Sequence, residues 1–418
     1  MNKNNLPEPT QLLIVVLCVA CVVAVASAAA LCTIKSYQRP TRYVLAFSIE
    51  DGWDFLHREA AARGKTTFRH ARAHVRSDFA PFQKLTFTAQ DAKDAQKKLV
   101  NKTLQPSFIN LIKLGVGSRK RIPGEFEMAD SVLKRLNRCV TIVVNYFDEP
   151  VSRPSASLVT DEDAQYIKSL ETKTPFFTDP NSFRFIDHAF PFFSNTKPTR
   201  GPYLDVIACH VNNGAYVSDI LKVKSFPAVP WSEKQARLVW RGSSTGGAFS
   251  GVYPAEHYPR LRILDWAKTS ANRDRVNIDV AITEHWGNLP SDKVIEKYPL
   301  GSFQSVKEQF KAKYLLVIDG HTWPNRLAAF LHAGSVVLLA TIFEDWVSRK
   351  LKPWVHYVPV QIDFSDLDEK LTWLLNNDAE AEKIGERGKA FAERELDMES
   401  MKLYNAAVVL EYSRVFEL

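Results

Sequence analysis

Cysteine is scarce in this sequence, and its placement narrows the possible protein classes. Of the five cysteines in 418 residues, Cys18, Cys21 and Cys32 lie in one apolar N-terminal segment. The other two, Cys139 and Cys209, could form one disulfide or stay as buried thiols, and the sequence leaves both readings open. Outside the apolar segment there is no Cys-x-x-Cys pair and no histidine cluster. We therefore predict no structural metal site.

Long runs of one charge are absent as well. The chain has 54 Lys and Arg against 47 Asp and Glu, which gives a net charge of +7. The basic residues are scattered and match no nucleic-acid-binding motif, so we predict no nucleic-acid partner. The positive excess favours anionic small ligands instead. With 45% hydrophobic and 24% charged residues, the chain is typical of a globular enzyme and long enough for two domains.

One long apolar run is present near the N-terminus. Residues 12–34 carry no charged side chain. As a helix rising about 1.5 Å per residue, such a run can cross a bilayer core of roughly 30 Å. A cleaved signal peptide is the alternative, because small residues at 26–30 offer cleavage sites. We predict a retained transmembrane anchor, since the run is longer than the apolar region of an ordinary signal peptide.

The orientation of this anchor is ambiguous in the sequence. Lys35, Arg39 and Arg42 follow the segment and only Lys3 precedes it, a bias that would place the body in the cytosol. Long domains are translocated largely regardless of such bias. An acceptor site for N-glycosylation, at Asn101, is compatible with a lumenal body. We predict a single-pass type II protein with a lumenal body, with a membrane-tethered cytosolic enzyme as the alternative.

The first half of the body predicts helices followed by a buried strand. Helical patterns at 89–98 and 131–136 precede a β-branched run at 139–144, which is typical of a buried parallel strand. This strand ends in a polar turn at 145–150, and ligands bind at that edge of open α/β sheets. Residues 151–230 are rich in Pro, Phe and Ser and predict irregular loops.

In the second half, predicted strands and helices alternate. The pattern is typical of a doubly wound parallel sheet, and with the strand at 139–144 it suggests two such domains. The predicted strands are 237–240, 276–281, 314–318 and 336–339, and the predicted helices are 260–267, 306–311 and 325–332, before a mostly helical end at 367–416. Pro353 and Pro359 predict a rigid extended segment between them.

Two polar segments follow predicted strands and could hold an anion. The turn predicted at 241–247 begins with Arg241, Gly242, Ser243 and Ser244, whose backbone N–H groups, hydroxyls and guanidinium suit a diphosphate. The loop 319–326 leads into a helix whose first turn contains Arg326. The purely structural alternatives are an ordinary strand-to-turn segment for the first and a surface helix cap for the second.

Several motifs, in a fixed order, resemble one enzyme family. Trp-Arg-Gly-Ser-Ser at 240–244 and Leu-Lys-Pro-Trp-Val-His-Tyr-Val-Pro-Val at 351–360 resemble the CAP10-like glycosyltransferases, or glycosyltransferase family 90. This family includes animal protein O-glucosyltransferases and fungal capsule xylosyltransferases. Asn-Tyr-Phe-Asp-Glu-Pro at 145–150 resembles the Asn-x-x-Asp-x-Pro setting of the family's catalytic Asp. The resemblance is strongest at 235–415, weaker at 140–150 and absent before about residue 50.

The resemblance implies a set of site residues. Asp148 would be the general base, with Glu149 as its rival and an Asx turn before Pro150 as the structural alternative. Ser243 and Arg260 would contact the nucleotide sugar, and Arg241, Arg260 and Arg326 would replace a divalent ion. The residues expected to bind the nucleotide sugar are Arg241, Gly242, Ser243, Ser244, Arg260, His321, Thr322, Trp323, Asn325 and Arg326.

The resemblance also implies fold and activity. We expect an α/β, GT-B-like fold with two Rossmann-like domains facing a cleft, and inverting transfer of glucose or xylose from UDP-glucose or UDP-xylose to a glycan or protein hydroxyl. No metal or other cofactor is expected, and the location would be the Golgi or endoplasmic reticulum membrane. A catalytically inactive lectin-like or scaffolding relative is the alternative. A low cysteine count and a longer insert between Asp148 and Trp231 depart from the animal relatives.

These inferences predict the following domain order along the chain. The segments are a tail at 1–11, the anchor at 12–34, a stem at 35–60, an acceptor-side Rossmann-like domain at 61–235, a C-terminal Rossmann-like nucleotide-sugar domain at 236–395, and a helix at 396–418 that packs back.

Overall fold

The described part of the chain starts at Ser48. The computed structural model describes residues 48–101, 107, 109–118, 122–147, 150–153, 160–177, 186–187, 190–201, 203–209, 222–246, 253–285 and 292–416. These residues belong to one unit, Ser48–Leu418. The anchor predicted at 12–34 lies outside them, and within them no helix is both long and apolar enough to cross a membrane.

Helices and short strands alternate along this unit. The helices are α1 Ile49–Ala62, α2 Ala71–Phe79, α3 Ala89–Val100, α4 Glu127–Arg135, α5 Asp161–Leu170, α6 Pro259–Thr269, α7 Asp292–Lys297, α8 Val306–Gln309, α9 Arg326–Leu331, α10 Leu367–Asn376, α11 Asp378–Glu395 and α12 Met398–Tyr412. The strands are β1 Ile109–Gly115, β2 Cys139–Asn145, β3 Ser152–Arg153, β4 Ile186–Asp187, β5 Phe193–Ser194, β6 Thr196–Pro198, β7 Val206–Ile207, β8 Gln235–Ser243, β9 Asn277–Glu284, β10 Ala312–Ile318, β11 Val336–Ala340, β12 Phe343–Asp345 and β13 Val358–Val360.

A four-stranded sheet lies in the first half, in the order β1-β2-β5-β7. Its central strand β2 pairs antiparallel with β1 and parallel with β5, and all its residues after Cys139 are buried. The Val and Ile residues of β2 suit such a strand because branched side chains pack well on a pleated, buried surface. The predicted buried strand is therefore confirmed, with one antiparallel neighbour.

A five-stranded, wholly parallel sheet lies in the second half, in the order β13-β11-β10-β8-β9. If the five strands are numbered 1 to 5 along the chain, starting with β8, their order in the sheet from the β9 edge is 2-1-3-4-5. This is one of the two common doubly wound orders. The predicted mixed α/β fold with parallel strands is confirmed. The strand order reverses between β8 and β10, and ligands of open α/β sheets bind at the carboxyl ends of the strands on either side of that point.

The first half of the unit differs from its prediction in two places. Helix α1 begins inside the segment 35–60 predicted as a stem, and its Trp53 and Leu56 are fully buried. Within 151–230 the described residues form strands of two or three residues, as expected of an irregular segment, together with helix α5. The acidic first turn of α5 is capped by Thr160, whose hydroxyl accepts from Asp163 N.

Strand β8 is longer than predicted, and this corrects the turn expected at 241–247. Arg241, Gly242 and Ser243 remain in the strand, because β8 stays paired with β9 as far as Ser243 opposite Glu284. Gly242 lets the strand pass the neighbouring indole: a Cβ there would lie 2.8 Å from the Trp240 ring. The motif is therefore the end of a strand, and the loop begins after it.

The prediction of an extended segment between Pro353 and Pro359 is wrong for most of that segment. Trp354 N donates to Tyr357 O at 2.7 Å, and Lys352 N donates to His356 Nδ1 at 3.0 Å. These bonds close a tight turn in which Trp354 has φ 61°, and β13 forms only afterwards. Proline restricts its own φ but leaves the residues between two prolines free to turn.

The first and second halves of the described chain are joined by strand pairing, by the last helix and by a buried ion cluster. Strand β6 pairs antiparallel with β12, and α12, buried along almost its whole length, packs against α1, α2 and α4. Asp78 of α2 accepts from Lys197 Nζ at 2.7 Å and from Arg349 Nη1 and Nη2 at 2.7 and 2.6 Å. Arg349 also donates to Glu344 at 2.7 Å. This ion cluster ties α2 to β6 and to the segment after β12.

Candidate functional site

The carboxyl ends of β8 and β10 form the candidate site. The two strands are parallel neighbours, so the residues after Ser243 and after Ile318 emerge at one edge of the sheet. This edge is the point where the strand order reverses. The two segments singled out from the sequence, 241–244 and 319–326, therefore meet in the fold.

Arg260 links the two segments. It lies in the first turn of α6, which starts at Pro259, and its side chain is almost fully buried. Its Nε donates to Asp319 O at 2.8 Å, Nη2 to Ile318 O at 3.2 Å, and Nη1 to Ser243 O at 3.2 Å and to Thr245 Oγ1 at 2.5 Å. One guanidinium thus holds the end of β8 against the end of β10.

Gly320 is required by this arrangement. A Cβ at Gly320 would lie 2.8 Å from Arg260 Nη2, so a larger residue would displace the guanidinium from the loop. The Arg260 side chain also lies over the Trp240 ring, and its Cζ atom is 5.8 Å from the ring centroid. Aromatic packing on one side and carbonyl oxygens on the other restrict its position.

Arg326 is the second cation at the site. Its side chain is partly buried, its Nη1 donates to Arg241 O, and its guanidinium lies 5.8 Å from the Phe330 ring centroid. Burial lowers the pKa of Arg326 to about 10, and burial together with the charge of Arg326 lowers the pKa of Arg260 to about 9. Among the described residues, no carboxylate lies within salt-bridge distance of either guanidinium. Two neighbouring buried cations repel each other, and a bound anion would relieve that repulsion.

Arg241 differs from the other two arginines because its charge is already paired. Its Nη2 donates to Asp279 Oδ1 on β9, and its Nη1 and Nε donate to Asp279 O at 2.8 Å and Ser302 O at 2.9 Å. Burial opposes the charge of Asp279, but hydrogen bonds from Gln304 and Arg241 lower the pKa of this carboxyl. The guanidinium of Arg241 thus holds β8 to β9, and its contact with a nucleotide sugar stays a prediction.

The rest of the 241–244 segment offers one accessible side chain. Ser244 is fully buried and its N donates to Glu284 O at 3.0 Å, while Gly242 is buried beside Trp240. Ser243 is partly exposed, and its Oγ lies 3.4 Å from Thr245 Oγ1. Of the four predicted residues, Ser243 has the most exposed side chain, and its contact with a ligand stays a prediction.

The loop after β10 presents a mixture of buried and accessible residues. Gly320 N donates to Thr322 O at 2.8 Å, which closes the loop, and Thr322 is buried. His321 and Trp323 are partly exposed, and Asn325 is exposed immediately before α9. These four residues lie on one loop at the candidate site, and their contact with a ligand stays a prediction.

Asp319 begins the loop that the sequence singled out, but the sequence reasoning gave this residue no role of its own. Its Oδ2 accepts from Ile342 N at 2.8 Å, and burial raises the pKa of its carboxyl to about 7. The carboxyl therefore changes charge near neutral pH next to the carbonyl that binds Arg260. An acidic residue directly after a buried strand at a reversal of strand order is the signal that could have identified it.

Asp148 lies outside the described residues, as does Glu149, but the chain on both sides is anchored. Asn145 Oδ1 accepts from Phe147 N at 3.0 Å, and Asn145 Nδ2 donates to Ser194 Oγ at 3.0 Å. Asp205 Oδ1 accepts from Ser194 Oγ at 2.5 Å and from Val151 N at 2.9 Å. This buried network ties the residues before and after the predicted base to β5 and β7.

Two further sequence predictions concern residues away from this edge. Cys139 and Cys209 are both free thiols, and burial raises the pKa of the Cys209 thiol well above its usual value. Asn101 follows the last residue of α3 and is exposed. Its glycosylation stays a prediction.

Comparisons with known proteins bear on the motifs that form this site. A family model described as Glycosyl transferase family 90 matches residues 174–418. Uncharacterized protein 027R of Frog virus 3 (isolate Goorha) is 33% identical over 230 residues, which are 50% of this chain and 21% of that protein. Protein O-glucosyltransferase 2 of Danio rerio is 28% identical over 198 residues, which are 47% of this chain and 36% of that protein. The chain thus spans well under half the length of these two relatives.

The likeness to one solved structure is weak. The match to the crystal structure of Anabaena Alr3699/HepE in complex with UDP-glucose covers 70% of this chain and 69% of that chain, at 10% identity and a TM-score of 0.30. A TM-score this low does not establish a common fold. The family match, by contrast, covers more than half of the chain and includes both segments of the candidate site. The resemblance inferred from the motifs is confirmed, and the chain belongs to glycosyl transferase family 90.

Proposed function

We propose that this protein is an inverting glycosyltransferase that moves glucose or xylose from a UDP-sugar to a hydroxyl of a glycan or protein acceptor. The family supports glycosyl transfer. The observation that carries the donor site is a pair of guanidiniums, the buried Arg260 and the partly buried Arg326, next to the carboxyl ends of β8 and β10. Glucose is favoured over xylose because the Danio rerio relative is named for glucose transfer.

The diphosphate of the donor would bind beside Arg326. This guanidinium is partly accessible and faces no carboxylate among the described residues, so it can donate to phosphate oxygens. Arg260 donates to carbonyl and hydroxyl oxygens of both segments, so it adds positive potential and holds the segments in place. Ser243 Oγ and the 321–325 loop would bind the remainder of the nucleotide sugar.

The transfer step would be a single displacement. Asp148 takes the proton of the acceptor hydroxyl as the acceptor oxygen attacks the anomeric carbon from the face opposite UDP. The bond from the anomeric carbon to the phosphate oxygen breaks at the same time, and UDP leaves with the bonding electrons. Positive charge already in place at Arg326 and Arg260 stabilises the negative charge that develops on the leaving group. The configuration at the anomeric carbon is inverted, and no metal or other cofactor takes part.

The architecture that would support this reaction is a GT-B-like pair of domains. The four-stranded and five-stranded sheets would be the cores of two Rossmann-like domains that meet near residues 235 and 236 and face a common cleft. The acceptor would enter from the Asp148 side. We also propose that residues 12–34 anchor the protein in the Golgi or endoplasmic reticulum membrane with the body in the lumen.

The test is turnover of a panel of UDP-sugars by the full-length chain, with EDTA present and absent. We expect one UDP-sugar to be hydrolysed or transferred at a rate that EDTA does not change. Asp148→Asn should lower kcat by about 100-fold or more, because general base catalysis contributes that much, and leave UDP binding intact. Glu149→Gln is the matched control and should retain activity.

Other outcomes would change the proposal. Activity lost on EDTA treatment and restored by a divalent ion would overturn the metal-independent mechanism. Full activity of Asp148→Asn together with loss in Glu149→Gln would move the base to Glu149. Binding of a glycan without turnover of any UDP-sugar would favour the lectin-like alternative.

A further inference from the structure

A separate cavity of about 520 Å³ lies between α2, the segment that precedes β13, and the end of α11. We call it the basic cavity. Its lining residues come from the segments 66–74 and 349–356 and include Phe391, Arg394 and Tyr404. None of the residues assigned to the donor site is among them. Its volume lies in the range of small-molecule sites.

The lining is strongly positive. Five of its residues are Lys or Arg and three are His, while none is Asp or Glu. Arg349 is paired with the buried Asp78, and Arg394 donates to the buried Glu395. Among the described residues, no carboxylate lies within salt-bridge distance of Arg69, Lys350 or Lys352, although the charges of Glu395 and Asp397 raise the pKa of Lys350 from farther away.

The buried carboxylate beside the cavity is already satisfied. Glu395, only 1% exposed, accepts from Thr66 Oγ1 at 3.1 Å, from Thr67 Oγ1 at 2.7 Å and from Arg394 Nε at 2.8 Å. Lys350 instead places its Nζ 4.2 Å from the centroid of the Trp346 ring. The aromatic face keeps the ammonium group in place without neutralising it.

Burial is the main cause of the lowered pKa values among the lining residues, and neighbouring cations add to it at two histidines. Burial and the charge of Arg349 lower the pKa of His74, and burial, Lys352 and Arg394 lower the pKa of His356. Burial also lowers the pKa of Lys350 to about 8. A bound anion would raise these pKa values, because a nearby negative charge favours the protonated forms of histidine and lysine.

One wall of the basic cavity is apolar. The rings of His356 and Phe391 lie 5.0 Å apart between centroids at an interplanar angle of 33°, and Leu351 and Val355 extend this surface. An inorganic ion would leave this surface unused. A ligand with a ring-sized organic part as well as an anionic group would contact both the cations and the apolar wall.

We propose that the basic cavity is a second ligand site that binds a phosphate ester, with the phosphate held by Arg69, Lys350 and Lys352 and the organic part against His356 and Phe391. The site does not depend on the proposed transfer reaction. Its lining segment 349–356 leads into the start of β13, whereas the donor site lies where β8 and β10 end. The two ligands therefore occupy different places.

The test is calorimetric titration of the full-length chain with phenyl phosphate, with inorganic phosphate and phenol as partial ligands. We expect phenyl phosphate to bind more tightly than inorganic phosphate, and phenol not to bind. Lys350→Met should weaken phenyl phosphate binding about tenfold or more, the effect of losing one charged hydrogen bond. Lys168→Met, at an exposed position on α5, is the matched control and should leave binding unchanged.

A second set of variants separates this site from the donor site. Arg326→Gln should leave phenyl phosphate binding unchanged, and Lys350→Met should leave UDP binding unchanged. If Lys350→Met does not fold, the exposed Arg69 and Lys352 carry the test as Arg69→Gln and Lys352→Gln. No binding to the wild type, or binding lost in Arg326→Gln and kept in the cavity variants, would overturn the proposal.

Discussion

At the scale of single residues, Arg260 and Arg326 of the donor site have different surroundings. Arg260 directs its N–H groups to three carbonyl oxygens and one hydroxyl of the two segments. Among the described residues, the side chain of Arg326 makes one hydrogen bond, to Arg241 O, and it remains partly accessible. Loss of Arg260 would leave buried polar groups unpaired, whereas loss of Arg326 removes a charge available to a ligand. The same substitution type should therefore affect stability at one position and binding at the other.

Arg326→Gln should weaken binding and leave stability nearly unchanged. We expect the affinity for UDP to fall about tenfold or more, because a hydrogen bond between charged groups contributes about 1.5–3 kcal/mol. Calorimetric titration with UDP measures this change. Arg387→Gln, at an exposed position on α11, is the control. Unchanged UDP affinity in Arg326→Gln would place the diphosphate elsewhere.

Arg260→Met should destabilise the fold. Three carbonyl oxygens and the Thr245 hydroxyl lose their donor, and we expect the free energy of unfolding to fall by about 3 kcal/mol. Urea unfolding followed by circular dichroism measures it. The exposed side chain of Arg273 donates only to Lys268 O among the described residues, and Arg273→Met should change stability by less than about 0.5 kcal/mol. Equal stability of the two variants would contradict this account of Arg260.

At the scale of elements, two glycines determine how closely α11 approaches the five-stranded sheet. A Cβ at Gly385 would lie 2.6 Å from Gly334 O, just before β11, and a Cβ at Gly388 would lie 2.7 Å from His356 O, just before β13. Both contacts are with backbone atoms that cannot rotate away. The helix is therefore seated on the starts of two strands at the spacing that glycine allows.

Gly385→Ala should destabilise the protein, although the same change stabilises an exposed helix by about 1 kcal/mol. The added methyl group would push α11 away from the start of β11, and overpacking of this kind costs about 1–3 kcal/mol. Thermal and urea unfolding measure the change. At Gly124 a Cβ would meet nothing within 4 Å, so Gly124→Ala is the matched control. A stabilised Gly385→Ala variant would show that α11 moves at little cost.

At the scale of the whole molecule, the two halves are connected by contacts between distant residues. Helix α12 packs on α1, α2 and α4, where Trp53 Nε1 donates to Glu411 Oε1 at 2.6 Å and Tyr412 Oη donates to Thr141 O at 3.0 Å. The ion cluster of Asp78, Lys197 and Arg349 adds a charged connection that is buried around Asp78. A buried carboxylate of this kind makes stability depend on pH.

Asp78 should contribute to acid unfolding. Burial opposes its charge, but Arg349 and Lys197 outweigh burial and lower the pKa of Asp78 from 3.8 to about 2. The folded state thus binds this proton less tightly than the unfolded state, so the stabilisation is complete above about pH 4 and is lost as the pH falls towards 2. The lowered pKa corresponds to about 2 kcal/mol.

Urea unfolding of the wild type and of Asp78→Asn between pH 7 and pH 2 measures this effect. We expect Asp78→Asn to be less stable at pH 7, and the difference to shrink below pH 4. Asp54→Asn, at an exposed position on α1, should follow the wild type at every pH. A difference between Asp78→Asn and the wild type that does not change with pH would mean that shape, and not charge, sets the contribution of Asp78.

Local pattern was enough to predict several elements and the family. The predicted strands at 276–281, 314–318 and 336–339 correspond to β9, β10 and β11, because a short β-branched run between polar turns is itself the signal of a buried strand. The motif at 240–244 lies where the donor site forms. The predicted turn at 241–247 and the extended segment after Pro353 differ from the structure, because their ends depend on pairing and packing partners that neighbouring residues do not specify.

The amino-acid sequence by itself determined the α/β class, the alternation of helices and strands, and membership of glycosyl transferase family 90, since these follow from residue types at short, regular spacing. The tertiary structure alone decided that Arg241 is paired with Asp279, 38 positions away, and that Arg260 and Arg326 remain without a carboxylate partner among the described residues. It also assembled the basic cavity from three distant segments. Which charges are paired depends on how elements pack, because a guanidinium is neutralised only by a group within a few ångströms of it in space.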